Sequence, residues 1–282
     1  MIKKLLVYGL LASVSWWSSA WADLVEKPMV VVIPSYNNKS CYEKNLESVF
    51  LQQYENYRVI FIDDASPDMT GPFAKSYIKL MGQKERVTFI QNPTRNGALA
   101  NIYQAVWMCN PDEVIVTLDG DDWFYDDQVL NKLNEVYSDP DVWMTYGQFV
   151  FHPGGHPGWA SQLPQEVIEN NAFREYHWVT THLRTFYAGL FQHIDREDLL
   201  VDGEFFSMAW DLGFMFPMLE MAGVHSRFIS DYLYVYNAAN PLSDIKVDPD
   251  YQMRLGWYIR TKEKYAPIAS YSSPPLRDAA SQ

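Results

Sequence analysis

The stretch from Glu113 to Trp123, Glu-Val-Ile-Val-Thr-Leu-Asp-Gly-Asp-Asp-Trp, limits the possible folds more than any other in this chain. Val114, Ile115, Val116 and Leu118 make an apolar run of strand length, the pattern of a strand covered on both faces. The run stops at Asp119, Asp121 and Asp122, which therefore emerge at the strand's C-terminal edge, where open α/β sheets bind ligands. Three carboxylates this close repel one another unless a cation sits among them. Hard oxygen donors and the tight bend allowed by Gly120 suit Mg²⁺ or Mn²⁺, and the natural partner of such an ion is a diphosphate. Asp-Gly is also a common solvated turn, so the neighbouring segments must decide between the two readings.

Those neighbours repeat the theme. The spacing predicts strands at Met29–Ile33, Tyr57–Ile62, Val87–Ile90, Glu113–Leu118 and Val142–Tyr146. Between them run helices at Ser40–Gln53, with Ser40 as N-cap, Gly71–Met81, Asn96–Met108 and Asp127–Tyr137. Such alternation means a mostly parallel, doubly wound α/β sheet with helices on both faces. Three strands end in polar residues, at Pro34-Ser35-Tyr36-Asn37, at Asp63-Asp64 and at the acidic cluster, and a parallel sheet brings those ends to one crevice. The second half is less regular. Phe151–Trp159 reads as a loop and Gln165–Thr181 has little clean period; Leu190–Ile194, Ala209–Met221 and Asp250–Lys264 look helical, and Arg227–Tyr236 reads as strand.

A chain of 282 residues with 48% hydrophobic content can bury a sizeable core. A formal net charge of −13 without a basic patch argues against nucleic-acid binding. Lys3 and Lys4, the apolar run Leu5–Trp17 and Ser18-Ser-Ala-Trp-Ala22 describe a secretory signal cleaved after Ala22, implying export. The alternative is an uncleaved anchor, although the run is shorter than the ~20 residues a bilayer core needs. No other stretch is long and apolar enough to span a membrane. Cys41 and Cys109 are too few for a disulfide framework and read as small buried residues within helices.

In order and spacing, Val31-Val-Ile-Pro-Ser-Tyr-Asn37, Phe61-Ile-Asp-Asp-Ala-Ser-Pro-Asp-Met-Thr70, Asn92-Pro-Thr-Arg-Asn-Gly97, Leu118-Asp-Gly-Asp-Asp-Trp123 and Trp210-Asp211 resemble the motifs of inverting, GT-A-fold glycosyltransferases of family 2. The resemblance covers roughly Met29–Tyr236. It implies a Rossmann-like GT-A domain over residues 23–265, with a nucleotide-sugar half near 29–147 and an acceptor-side half near 148–265. A polar tail without fixed structure follows at 266–282. The family's roles then fall on particular residues. Pro34 and Tyr36 line the base pocket, and Asp64 accepts the imide N–H of a uracil. Arg95 stands near the nucleotide phosphate, where the bland alternative is a solvated loop arginine. Asp119 and Asp121 form the D-x-D element, with Asp121 or Asp122 ligating the metal.

Asp211 takes the place of the family's catalytic base, although it could instead cap the following helix. The usual Glu-Asp pair is reduced here, because Trp210 replaces the first acid. Thr181-His-Leu-Arg-Thr-Phe-Tyr187 resembles a segment beside the acceptor, which makes His182 and Arg184 substrate contacts; Trp159 and Trp178 are candidate sugar platforms. The histidine often found after the late strand is missing from Tyr236-Asn-Ala-Ala-Asn-Pro241, and His225 lies too early to replace it. The expected ligands are a nucleoside diphosphate sugar, in first place a UDP-sugar, and a hydroxyl-bearing glycan, lipid or protein acceptor. Three rivals compete with this reading. A nucleotidyltransferase would carry a Gly-rich basic loop after the first strand, which Pro34-Ser35-Tyr36-Asn37 is not. A dehalogenase-like phosphatase would carry Thr or Val two positions after its second acid. A catalytically degenerate carbohydrate- or nucleotide-binding protein would keep the fold without turnover.

Overall fold

The computed structural model describes residues 24–272; the expected signal segment, residues 1–22, and the end of the tail lie outside the described residues. The nucleotide-side half alternates as its periodicity predicts: β1 Met29–Ser35, α1 Tyr42–Phe50, β2 Tyr57–Asp63, α2 Thr70–Leu80, β3 Val87–Gln91, α3 Ala98–Val106 and β4 Val114–Thr117. A two-residue strand, β5 Trp123–Phe124, precedes α4 Val129–Tyr137 and β6 Met144–His152. The acceptor-side half contains α5 Gln165–Glu169, β7 Thr185–Tyr187, α6 Ala188–Gln192, the small hairpin β8 Leu200–Val201 and β9 Glu204–Phe205, α7 Trp210–Ala222, β10 Ser226–Asn237, α8 Asp244–Val247 and α9 Pro249–Thr261.

Eight strands form one mixed, mostly parallel sheet in the order β3-β2-β1-β4-β7-β6-β10-β5. Its period-2 alternation sends Val30, Val32, Ile60, Ile62 and Ile115 to the face covered by α3, α6 and α7. Val31, Ile33, Val59, Phe61, Val114 and Val116 go to the opposite face, under α1, α2 and α4. All of these side chains are fully buried, and burying each contributes roughly 1.5–3 kcal/mol. The register places the functional edge. Ser35 pairs with Asp63, and Val32 with Thr117, so continuing β4 by three residues brings Gly120 level with Ser35.

Several details depart from the sequence expectation. β6 runs on to His152, because Phe151 and His152 pair with β10 where a loop was expected. β7, too short for any periodicity to reveal, inserts antiparallel between β4 and β6. Ser40 does not cap α1: the N-cap position is Cys41, without a side-chain cap, and the backbone N–H groups of Cys41 and Tyr42 donate to the Asn38 carbonyl. Neither cysteine lies within a helix and the two are not bridged; Cys41 precedes α1 and Cys109 follows α3. The start of the tail is not loose. The Ile268 N–H donates to the Met221 carbonyl, and Tyr271 stacks on Tyr187 with ring centres 4.2 Å apart. No helix among the described residues is long and apolar enough to cross a membrane.

Candidate active site

A cleft of about 940 Å³ opens over the C-terminal ends of β1 and β4, and it collects every residue that the sequence nominates for chemistry. At one end lie Pro34, Tyr36, Asp64 and Arg95. The exposed Arg95 guanidinium sits 4.0 Å above the centre of the Tyr36 ring. Asp64 is buried, and most of its hydrogen-bonding capacity is used internally. Its Oδ1 accepts from Asn92 Nδ2 at 2.8 Å and from the Asn96 N–H at 2.9 Å; Oδ2 accepts from the Gly97 N–H at 2.8 Å. The carboxylate thus holds the loop before α3, where Gly97 adopts a φ of +89° that disfavours side chains, and it keeps capacity at Oδ2 for a ligand N–H. Asp63 turns away from the cleft and accepts from Gln91 Nε2.

The acidic turn after β4 is held from both sides. Asn45, on the buried face of α1, donates through Nδ2 to the carbonyls of Asp119 (3.0 Å) and Asp122 (2.8 Å). Gly120 touches β1 so closely that a Cβ there would lie 2.6 Å from Asn38 Nδ2 and 2.7 Å from Ser35 Oγ. From β10, the Tyr234 hydroxyl donates to Asp122 Oδ2 at 2.6 Å and accepts from the Asp119 N–H at 3.3 Å. The Asn237 N–H donates to Asp122 Oδ1 at 2.7 Å, and Asn240 Nδ2 bonds Asp121. Register shifts on either side of Tyr232 bulge β10 against β6, and bulges of this kind re-aim side chains.

The three acids have different electrostatic surroundings. Burial and then the charge of Asp119 push the Asp121 carboxyl up to about 6. Burial, reinforced by Asp121 and Asp119, pushes Asp122 well above the usual carboxylate range. Burial also acts on Asp119, but the neighbouring His182 and the charge of Arg184 outweigh it and hold that carboxyl below its ordinary value.

The acceptor end is built on the segment that leads into β7. Arg184 Nη2 donates to His182 Nε2 at 3.0 Å and to Asp211 Oδ2 at 3.0 Å. An arginine can only donate, so Nε2 is the acceptor and the imidazole is neutral, with its proton on Nδ1 facing Thr181 Oγ1 at 2.9 Å. Burial and the Arg184 charge act the same way, lowering the histidine's pKa. Asp211 lies in the first turn of α7 without capping it; its carboxylate pairs with Arg184 and faces the cleft. Trp159, half exposed, and Trp178, packed on Phe216, both line the cleft, and Trp210 joins them.

A divalent cation has a donor set here. One ligand atom each from Asp119, Asp122 and His182 lie within 4.8 Å of one another. Two carboxylates and an imidazole suit Mn²⁺ or Mg²⁺ in kind, provided Arg184 gives up its bond to Nε2. His182 therefore stands at the acids although β10 ends without a histidine, and His225 is remote, stacked on Trp143 at 3.9 Å. Asp121, a proposed ligand on sequence grounds, lies outside this set and bonds Asn240 instead. Sequence reasoning missed Tyr234, Asn237, Asn240 and Asn45. Two signals were available: a tyrosine on a buried strand needs a partner for its hydroxyl, and Asn45 lies on the apolar face of α1.

The family model described as "Glycosyl transferase family 2" matches residues 30–199, more than half of the chain. Glycosyltransferase GlyA of Streptococcus pneumoniae is 25% identical over 178 residues, covering 58% of this chain and 23% of that protein. Glycosyltransferase GlyG of the same organism is 26% identical over 152 residues, covering 50% of this chain and 49% of that protein. The chain thus spans a quarter to a half of these relatives' lengths. Among solved structures, residues 1–349 of S. aureus TarS superpose with a TM-score of 0.56 at 19% identity, over 82% of this chain and 64% of that one. The same protein in complex with UDP-GlcNAc gives 0.53 at 14% identity, over 74% and 58%. At these identities the likeness establishes the shared GT-A, Rossmann-like fold.

Proposed function

The chain belongs to glycosyl transferase family 2, and from that premise we propose that it moves a sugar from a nucleoside diphosphate, in first place UDP, to a hydroxyl acceptor with inversion. The observation that carries this reading is that the acidic turn after β4 and Asp211 face one cleft, with the Tyr36–Asp64 pocket at its other end. Binding of UDP and UDP-GlcNAc by the TarS structures supports the choice of donor. Tyr36, Pro34 and Asp64 receive the base, Asp64 through the remaining capacity of Oδ2. Asp119, Asp122 and His182 hold the cation, with Asp121 beside them, and when bound the ion offsets the negative charge of the departing diphosphate. Asp211 takes the proton of the acceptor hydroxyl. The acceptor oxygen then bonds to the anomeric carbon from the face opposite the diphosphate. The bond from that carbon to the diphosphate oxygen breaks, and its electron pair leaves with the nucleotide. A single displacement of this kind inverts the configuration. Trp159 and Trp178 offer flat faces to the acceptor sugar.

The test is calorimetric titration of UDP with Mn²⁺ and again with chelator, on the wild type and Asp119→Ala, followed by a screen of UDP-sugars and the anomeric configuration of the product. Metal-dependent binding weakened by the substitution supports the donor site. Silence towards UDP, GDP and other nucleotides supports the catalytically degenerate binding protein instead. Export is a separate part of the proposal, resting on residues 1–22; delivery into a compartment that contains donor follows from it, and fractionation that finds the mature protein confined to a bacterial periplasm sinks that idea.

A further inference from the structure

We propose that Arg184, rather than Arg95, grips the diphosphate of the donor, and that this one guanidinium connects the leaving group to the base. The inference rests on the donor reading above and assigns Arg184, a residue of the acceptor-side segment, to the opposite substrate. Arg184 is only 3% exposed and lines the cleft. Its Nη2 is engaged by His182 and Asp211, but Nε and Nη1 have no partner among the described residues. A buried cation with unused donors carries a large desolvation cost, and native proteins rarely leave such groups unpaired. Guanidinium nitrogens offer donors only, so the missing partner is an acceptor, and an oxyanion with several oxygens can serve both nitrogens.

Position favours phosphate. Arg184 and Arg95 are the cationic side chains of the cleft, set against Asp64, Asp119, Asp121, Asp122 and Asp211. Arg95 is exposed and stacked on Tyr36 at the base end. Arg184 lies at the acidic turn, bonded to His182, whose Nε2 stands 3.5 Å from Asp119 Oδ2, and the centre of the Trp210 ring is 5.6 Å from Cζ. A diphosphate bound beside the acids therefore reaches Arg184. Because Nη2 is bonded to Asp211, the arginine that takes the phosphate also fixes the orientation of the base.

The test compares UDP and GDP with uridine and guanosine, in saturating Mn²⁺, on the wild type, Arg184→Gln, Arg184→Lys and Arg95→Gln. Loss of the charged contacts in Arg184→Gln is expected to weaken the diphosphate about 10- to 100-fold with the nucleoside unchanged. Arg184→Lys should recover part of that loss, and Arg95→Gln should cost less than Arg184→Gln. Diphosphate binding by Arg184→Gln as tight as wild type overturns the proposal while leaving the donor reading intact. Absence of all nucleotide binding by the wild type overturns both. If the Arg184 variants lose nucleoside binding as well, and so have misfolded, Asp211→Asn decides: freeing the guanidinium from its carboxylate should tighten UDP several-fold and leave uridine unchanged. An unchanged UDP affinity there overturns the proposal, as does a loss of transfer in Arg184→Lys with wild-type UDP affinity, which would place Arg184 on the acceptor alone.

Discussion

The two ends of the cleft are assembled in different ways. At the nucleotide end, most functional residues stand at the end of a strand: Pro34 and Tyr36 at β1, Asp64 at β2, the acidic turn at β4. Parallel pairing in register does the rest, because Ser35, Asp63 and Gly120 finish level. At the acceptor end the bonds join distant parts of the chain. Arg184 meets Asp211, His182 meets Asp119, Tyr234 meets Asp122 and Asn240 meets Asp121. That end has no regular alternation of its own and depends on buried polar pairs. Arg174 and Glu220, both almost fully buried, fasten residues 172–176 to α7, and Arg174 Nη1 also donates to the Ile259 carbonyl at 2.7 Å. A site built this way is shaped by single contacts, whereas the nucleotide end is shaped by the sheet.

Substitutions can break or sharpen this contrast. The largest effect is expected from Asp211→Asn, which should lower transfer by about 10²- to 10⁴-fold without loss of nucleotide binding, as read from initial rates and titration side by side. A drop of less than threefold would remove Asp211 as the base. Next, Glu220→Ala strands a buried arginine and should cost about 3–5 kcal/mol in urea denaturation. A cost below 1 kcal/mol would mean that the acceptor side does not depend on this pair. Gly120→Ala is the matching change at the nucleotide end. Its Cβ would press on Asn38 and Ser35, and about 1–3 kcal/mol of stability should be lost together with Mn²⁺ affinity. Retained affinity would show that the turn tolerates movement away from β1. Tyr234→Phe removes one hydroxyl shared by two aspartates and should cost about 1 kcal/mol, measured by thermal unfolding. The smallest effect is chemical. Burial raises the Cys109 thiol to about 11, so at pH 8 it stays protonated, and iodoacetamide should label Cys41 well before it in the folded protein. Equal labelling would show that the end of α3 opens readily.

Much of the nucleotide end was readable in the sequence. Apolar runs of strand length, ended by Pro34, Asp63 and Asp119, gave the strands, and the helical spacing of α1 to α4 gave the crossovers. Less of the acceptor end was readable, for reasons of scale and distance. β7 has three residues, below the length at which any period can be recognised, yet it delivers His182 and Arg184 to the cleft. The bulges that re-aim Tyr234 leave no trace in the pattern of β10. His182 could be nominated as a substrate contact by resemblance, but its place beside Asp119 depends on a strand inserted between β4 and β6.

By itself, then, the sequence determined a parallel α/β sheet with carboxylates at its C-terminal edge, because side-chain alternation and strand termination are local properties of the chain. Tertiary structure alone decided which acids sit with His182, which one bonds Asn240, and that Arg184 stands between Asp119 and Asp211 with two nitrogens unused. Those outcomes depend on contacts between residues far apart in the chain, whose geometry is set by sheet order, register and bulges rather than by any local pattern.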